Sequence, residues 1–112
     1  MKKILIILSL SLMLWGCADT SSKTEIKKIM AEKEYIIVDV RTKEEYEESH
    51  IVGAINVPYD QIDENTNLDR NKNIFVYCRS GNRSEVAFNT LTNLGYIVYD
   101  LGAFAEIDLP KE

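Results

Sequence analysis

Hydrophobic and polar positions fall in blocks along this chain, and the blocks change period. Between residues 24 and 33, Ile26, Ile29 and Met30 recur at helical spacing among charges, which predicts an amphipathic helix with Thr24 as N-cap. Tyr35-Ile36-Ile37-Val38-Asp39-Val40 is a nearly continuous apolar run. A strand buried on both faces has this pattern, and it favours a parallel sheet. Thr42, with Glu45 three residues on, forms a capping box that opens a short acidic helix to about Ser49. Ala54 to Val57 predicts a brief strand stopped by Pro58. Tyr59 to Asn65 predicts one or two helical turns, and a polar connector leads to a second buried strand over Ile74 to Tyr77. A longer helix is predicted over Ser84 to Leu94, with Val86, Ala87, Thr90, Leu91 and Leu94 along its inner side and Gly95 as its stop. Tyr96 to Leu101 is the last strand. Strands alternating with helices at this spacing predict an α/β fold with a mostly parallel sheet. In such sheets, sites form outside the carboxyl ends of strands. Asp39-Val40-Arg41 and Cys78-Arg79 both fall at such ends, and are expected to be neighbours although 39 residues apart.

Composition changes this picture mainly at the N-terminus. The 112 residues suffice for one domain. Met1-Lys2-Lys3 is a basic start, and Ile4 to Leu14 is an apolar run of 11 residues, short for a membrane span. Leu14-Trp15-Gly16-Cys17 follows. This layout reads as a secretory signal peptide over residues 1–16. A cysteine directly after the small residue resembles a bacterial lipobox, which implies cleavage before Cys17 and a lipid on its thiol. An uncleaved anchor and a plain signal peptide are the alternatives, and all three place the protein outside the cytoplasm. Residues 17–23 then read as a polar tether from membrane to domain.

The whole chain carries 13 basic and 18 acidic residues, a net charge of −5. Without residues 1–16 it carries 11 basic against 18 acidic residues, or −7. That balance argues against a nucleic-acid partner. The chain has two cysteines. If Cys17 is lipidated, Cys78 is left as a lone thiol in an exported protein, which marks it as reactive.

Cys78 ends the second apolar strand, and Arg79-Ser80-Gly81-Asn82-Arg83-Ser84 lead into the predicted helix. A strand-to-loop-to-helix turn aims backbone N–H groups and the positive end of a helix dipole at one spot. A thiol placed there is expected to have a lowered pKa and to act as a nucleophile. Gly81 supplies a conformation other residues resist, and Ser84 is expected to cap the helix. Arg79 and Arg83 can hold an anion with their guanidinium forks, or can be solvated or paired with an acid. His50, the only histidine, reads as structural rather than as a base. Phe75 and Tyr77 read as core. One histidine and one available thiol in separate motifs do not make a metal set, and no nucleotide-binding loop is present.

Four separated segments carry a family resemblance. They are Val38-Asp39-Val40-Arg41-Thr42 with Glu45-Tyr46, then His50-Ile51-Val52-Gly53-Ala54-Ile55-Asn56-Val57-Pro58, then Cys78 to Ser84, then Leu94-Gly95-Tyr96 with Leu101-Gly102. In this order the chain resembles a single-domain rhodanese, a sulfurtransferase, from roughly Thr24 to Glu106. The resemblance implies a three-layer α/β sandwich over residues 24–112, with helices on both faces of the sheet. It implies that Cys78 takes sulfur from a small anionic donor such as thiosulfate and passes it, as a persulfide, to a thiol or cyanide. No cofactor and no metal are expected. Arg79, Ser80, Gly81, Asn82, Arg83 and Ser84 would form the substrate loop, and Asp39 and Arg41 would brace it from behind.

The chain departs from the family pattern at three places. Ser49 stands where glycine is usual, Ala103 follows Gly102 where a second glycine is common, and no tryptophan lies near the C-terminus, where Phe104 fills the place. The final helix is expected to be short or missing, with that wall of the site open or supplied by a partner protein. Two other functions remain. A rhodanese-like module could bind a partner or carry its sulfur with little turnover. A cysteine phosphatase or arsenate reductase on the same fold is disfavoured by spacing: those enzymes separate cysteine and arginine by five residues, and here four separate Cys78 from Arg83.

Overall fold

The computed structural model describes residues 23–112. The segment expected to be a signal peptide, Cys17 and all but the last residue of the expected tether lie outside the described residues. The chain divides into two compact units at Glu32 and Lys33. The described part of the first is a helix over 23–32, α1, in which Ile26, Ile29 and Met30 are the half-buried residues. Thr24 sits within this helix and does not cap its start, because Lys23 is already helical. Among the described residues, no helix is long and apolar enough to cross a membrane.

The second unit holds the sheet. Its strands are β1 (Tyr35–Asp39), β2 (Ile55–Asn56), β3 (Asn73–Cys78) and β4 (Ile97–Ala103). They pair in the order β2-β1-β3-β4, and every pairing is parallel. The helices are α2 (Lys43–Glu48) and α3 (Asn82–Asn93), with 3-10 turns at Tyr59–Gln61 and Phe104–Glu106. The α/β architecture matches the expectation from the apolar runs.

Side chains along β3 alternate between two buried environments. Ile74, Val76 and Cys78 join Val38, Val40 and Val98, with Ala87 and Leu91 of α3, in one core cluster. On the other side Phe75 stacks on Tyr99 at 5.2 Å, and Tyr77 stacks on Phe104 at 5.7 Å. Burial on both sides explains why β1 and β3 lack the hydrophobic-polar alternation of a half-exposed strand.

Local chemistry sets the element ends. The capping box forms in full: Thr42 Oγ1 accepts from Glu45 N–H at 3.2 Å, and Glu45 Oε1 accepts from Thr42 N–H at 3.0 Å. Gly95, at φ +99, ends α3 in the left-handed conformation. The Tyr59 segment makes one 3-10 turn, ending before the Asn65 limit predicted for it.

The start of α3 differs from the sequence reading. Gly81 is the N-cap, at φ +103, so Asn82, Arg83 and Ser84 are already helical. Ser84 therefore faces inward with Ala87 and Leu91, while Val86 is 48 % exposed and lies on the flank of the buried stripe.

After β4 there is only the 3-10 turn, and then an extended segment in which Lys111 bridges antiparallel to Ile51. His50 N–H donates to Glu112 O at 3.0 Å, and its ring stacks on Tyr46 at 3.9 Å. Its Nδ1 lies 2.8 Å from Tyr46 O. These contacts make His50 a structural residue, as expected.

Candidate active site

The carboxyl ends of β1 and β3 lie side by side, with Asp39 opposite Tyr77 in the parallel register. Val40 N–H donates to Tyr77 O at 3.0 Å, which extends the ladder to the last residue before Cys78. Topology thus brings together the two segments that are 39 residues apart in sequence.

Cys78 is fully buried at the end of β3. Gly81 N–H donates to its Sγ at 2.9 Å. Its thiol donates to Ser84 Oγ at 3.5 Å, and the Ser84 hydroxyl donates to Gly81 O at 3.1 Å. The positive φ of Gly81 turns its amide inward, a conformation that costs L-residues about 1–2 kcal/mol. A Cβ there would meet nothing within 4 Å, so backbone geometry and not space selects glycine.

Burial alone would push the Cys78 thiol up. The Ser84 hydroxyl, followed by the N–H groups of Ser84, Gly81 and Ser80, outweighs it and lowers the thiol below the ordinary range. A group that accepts several backbone N–H bonds only when charged is stabilised in that state. On ionisation the Ser84 hydroxyl can rotate to donate to the sulfur. The site is therefore a thiolate nest at the N-terminus of a twelve-residue helix.

The arginines diverge. Arg79 is exposed and makes no ion pair among the described residues. Arg83 makes a bidentate pair with Glu45 of α2, Nη1 to Oε1 at 2.8 Å and Nη2 to Oε2 at 3.1 Å. Of the readings open for Arg83, the structure has pairing with an acid. The Arg83 bond holds Glu45 well below the usual carboxylate range, at about 2. Ser80 in the loop and Asn82 at the start of α3 are exposed.

Asp39 and Arg41 form a second cluster. Arg41 Nε donates to Asp39 Oδ1 at 2.9 Å and Nη2 to Oδ2 at 2.6 Å, with both side chains buried. Arg41 Nη2 also donates to Ser49 O at 2.6 Å, and the guanidinium lies 4.4 Å over the Phe104 ring. Tyr77 Oη donates to Asp39 Oδ2 at 2.7 Å and accepts from Ile51 N–H at 3.0 Å. Burial, together with its bond to Asp39, raises the Tyr77 phenol far above its ordinary value, so it stays a donor.

Two participants escaped the sequence reading. Glu45 registers in sequence as a helix cap, and nothing there signals a partner 38 residues away. Tyr77 registers as core, which is true of its ring but leaves out its hydroxyl.

A β-bulge lies beside the site. Val76 pairs with Asp100 but Tyr77 with Gly102, so Leu101 is the extra residue. Gly102 takes φ +83, and its N–H donates to Asp100 Oδ1 at 2.9 Å. Such bulges re-aim a strand end, and this one falls where β3 delivers Cys78.

The chain matches the family model described as "Rhodanese-like domain" over residues 22–106. It is 36% identical over 78 residues to the thiosulfate sulfurtransferase PspE of Escherichia coli, covering 66% of this chain and 75% of that one. It is 37% identical over 71 residues to YrkF of Bacillus subtilis, named as a sulfur carrier; the match covers 62% of this chain but 38% of YrkF. Among solved structures, a rhodanese with anions from E. coli superposes with a TM-score of 0.63 at 32% identity, covering 70% of this chain and 96% of that one. A rhodanese-related protein from Thermoplasma volcanium gives 0.66 at 28% identity, covering 80% and 92%. With the family model spanning most of the described residues and the α/β sheet carrying the free Cys78 thiol at its carboxyl end, the chain belongs to the rhodanese family.

Proposed function

We propose that this protein is a sulfurtransferase that carries sulfane sulfur as a persulfide on Cys78. The observation that carries the reading is the nest itself, in which the Ser84 hydroxyl and the N–H groups of Ser84, Gly81 and Ser80 lower the pKa of the buried Cys78 thiol. With thiosulfate, the Cys78 thiolate attacks the outer sulfur. The S–S bond of the donor breaks, sulfite leaves with the bonding pair, and Cys78 is left as the persulfide anion. A cyanide or thiolate acceptor then attacks the outer sulfur and restores the Cys78 thiolate. Charge and electrons balance in both steps, so no cofactor is required. The N–H groups that favour the thiolate also favour the persulfide anion. Exposed Arg79 supplies a cation for an anionic donor at the loop mouth.

The test is thiocyanate formation from thiosulfate and cyanide. Cys78→Ser is expected to lose at least about a thousandfold in rate, because a serine hydroxyl in this nest has no comparable anion. Equal rates in both proteins would refute the assignment.

A second reading, a sulfur-carrying module that exchanges with a partner, is favoured by two observations. Cys78 is fully buried, and Arg83 is occupied by Glu45, so little of the site faces a free dianion. A module would accept sulfur stoichiometrically but turn over free thiosulfate slowly. We further propose that the protein is exported and lipid-anchored through Cys17, with thiols of the cell envelope as acceptors. Intact mass of protein from its own host would then show a diacylglyceryl-modified chain beginning at residue 17.

A further inference from the structure

We propose that Glu45 is a positioning residue that sets the charge preference of the sulfur-donor site by holding Arg83 in a neutral pair. The inference rests on the sulfurtransferase reading and adds a donor class to it: thiosulfonates and organic hydropersulfides, which carry one negative charge or none, in preference to the thiosulfate dianion.

Arg83 belongs to the first turn of α3, one residue before Ser84, and feels the Cys78 sulfur electrostatically. Both of its terminal nitrogens face Glu45, and the two side chains are only 27% and 22% exposed. Glu45 is itself fixed from the other side. Its Oε1 also accepts from Thr42 N–H at 3.0 Å and from Thr42 Oγ1 at 3.2 Å, so the carboxylate is part of the cap of α2. Releasing Arg83 to a mobile anion would break a bidentate, partly buried pair and leave Glu45 facing the same anion. The loop mouth therefore presents the single unpaired guanidinium of Arg79 rather than two. This geometry also ties the start of α3 to the N-terminal end of α2.

Two donors separate charge from loop shape. Thiosulfate carries two negative charges, and methanethiosulfonate carries one. Each delivers its terminal sulfur to the Cys78 thiolate as its S–S bond breaks, with sulfite or methanesulfinate leaving with the electron pair. The ratio of their kcat/KM values reports the local potential, whereas a loosened loop lowers both values together. Glu45→Gln keeps an acceptor for the Thr42 N–H but frees a positive Arg83. It is expected to raise the thiosulfate-to-thiosulfonate ratio by roughly three- to tenfold, the effect of one partly screened unit charge. Arg83→Gln leaves Glu45 unneutralised and is expected to lower the ratio by a similar factor. The double variant, with the mouth charge of the wild type, returns it to within about twofold. A ratio that stays constant while both rates fall would overturn the inference and leave Glu45 a purely structural tie. A folded wild type inert toward both donors would instead overturn the sulfurtransferase reading, and the inference with it.

Discussion

Tyr77 and Cys78 are neighbours in sequence, yet they serve two regions of opposite character. Tyr77 points to the side where Asp39, Arg41 and Phe104 meet, and Cys78 points to the side of α3. In the first region charged side chains satisfy one another. Asp39 receives Arg41 and Tyr77, and Arg41 also reaches the last carbonyl of the α2 segment. In the second region backbone amides converge on one sulfur that has no counter-charge in contact. A side-chain network uses up its own hydrogen-bonding capacity and becomes rigid. A backbone nest keeps its capacity and waits for negative charge. The same strand end is thus locked from one side so that it can be receptive on the other.

Mutations on the two sides should separate stability from reactivity. The largest effect belongs to Asp39→Ala, which leaves the Arg41 guanidinium buried without its partner. A cost of about 3–5 kcal/mol in urea unfolding is expected. Any molecules still folded should alkylate at Cys78 as the wild type does. Tyr77→Phe is milder. It removes the donor to Asp39 and the acceptor for Ile51 N–H while keeping the ring, and should cost about 1–3 kcal/mol. If it instead slowed iodoacetamide labelling of Cys78 strongly, the separation of the two sides would be wrong.

Ser84→Ala should do the reverse. It removes a hydroxyl that favours the thiolate, so the thiol pKa rises and labelling at neutral pH slows several-fold, while stability changes by about 1 kcal/mol or less. The labelling profile of the wild type should fall only at a pH below the ordinary thiol range of about 8.5, because the folded pKa is lowered.

The smallest effect concerns acid stability. The folded pKa of Glu45 lies near 2, below its ordinary 4.5. Its contribution is therefore complete above about pH 4.5 and is lost as the pH falls toward 2. Screening of this partly exposed pair reduces it to about 1 kcal/mol. Urea unfolding of wild type and Glu45→Gln should differ at pH 6 and converge near pH 2. A constant difference across that range would contradict the pairing.

β1 and β3 were legible because apolar runs buried on both sides leave a continuous signal, and the α2 start was legible because a capping box is local. The start of α3 was misread because Ser84 looks like a cap. A polar residue facing inward does not announce itself, so the stripe of Ser84, Ala87 and Leu91 was phased toward Val86 instead. The nest was legible from the glycine and the strand-to-helix turn. Glu45–Arg83 was not, since a pair across 38 residues depends on where the sheet places α2 beside the loop. The Tyr77 hydroxyl was hidden for the same reason: its partners come from β1 and from the segment after α2.

The central claim is that Cys78 carries the sulfur. Mass spectrometry of the peptide containing Cys78, after the protein has been incubated with thiosulfate and desalted under non-reducing conditions, tests it most directly. The account predicts an addition of about 32 Da, one sulfur atom, that disappears on adding cyanide as thiocyanate is released. A Cys78 peptide that remains unmodified while thiocyanate still forms would contradict it.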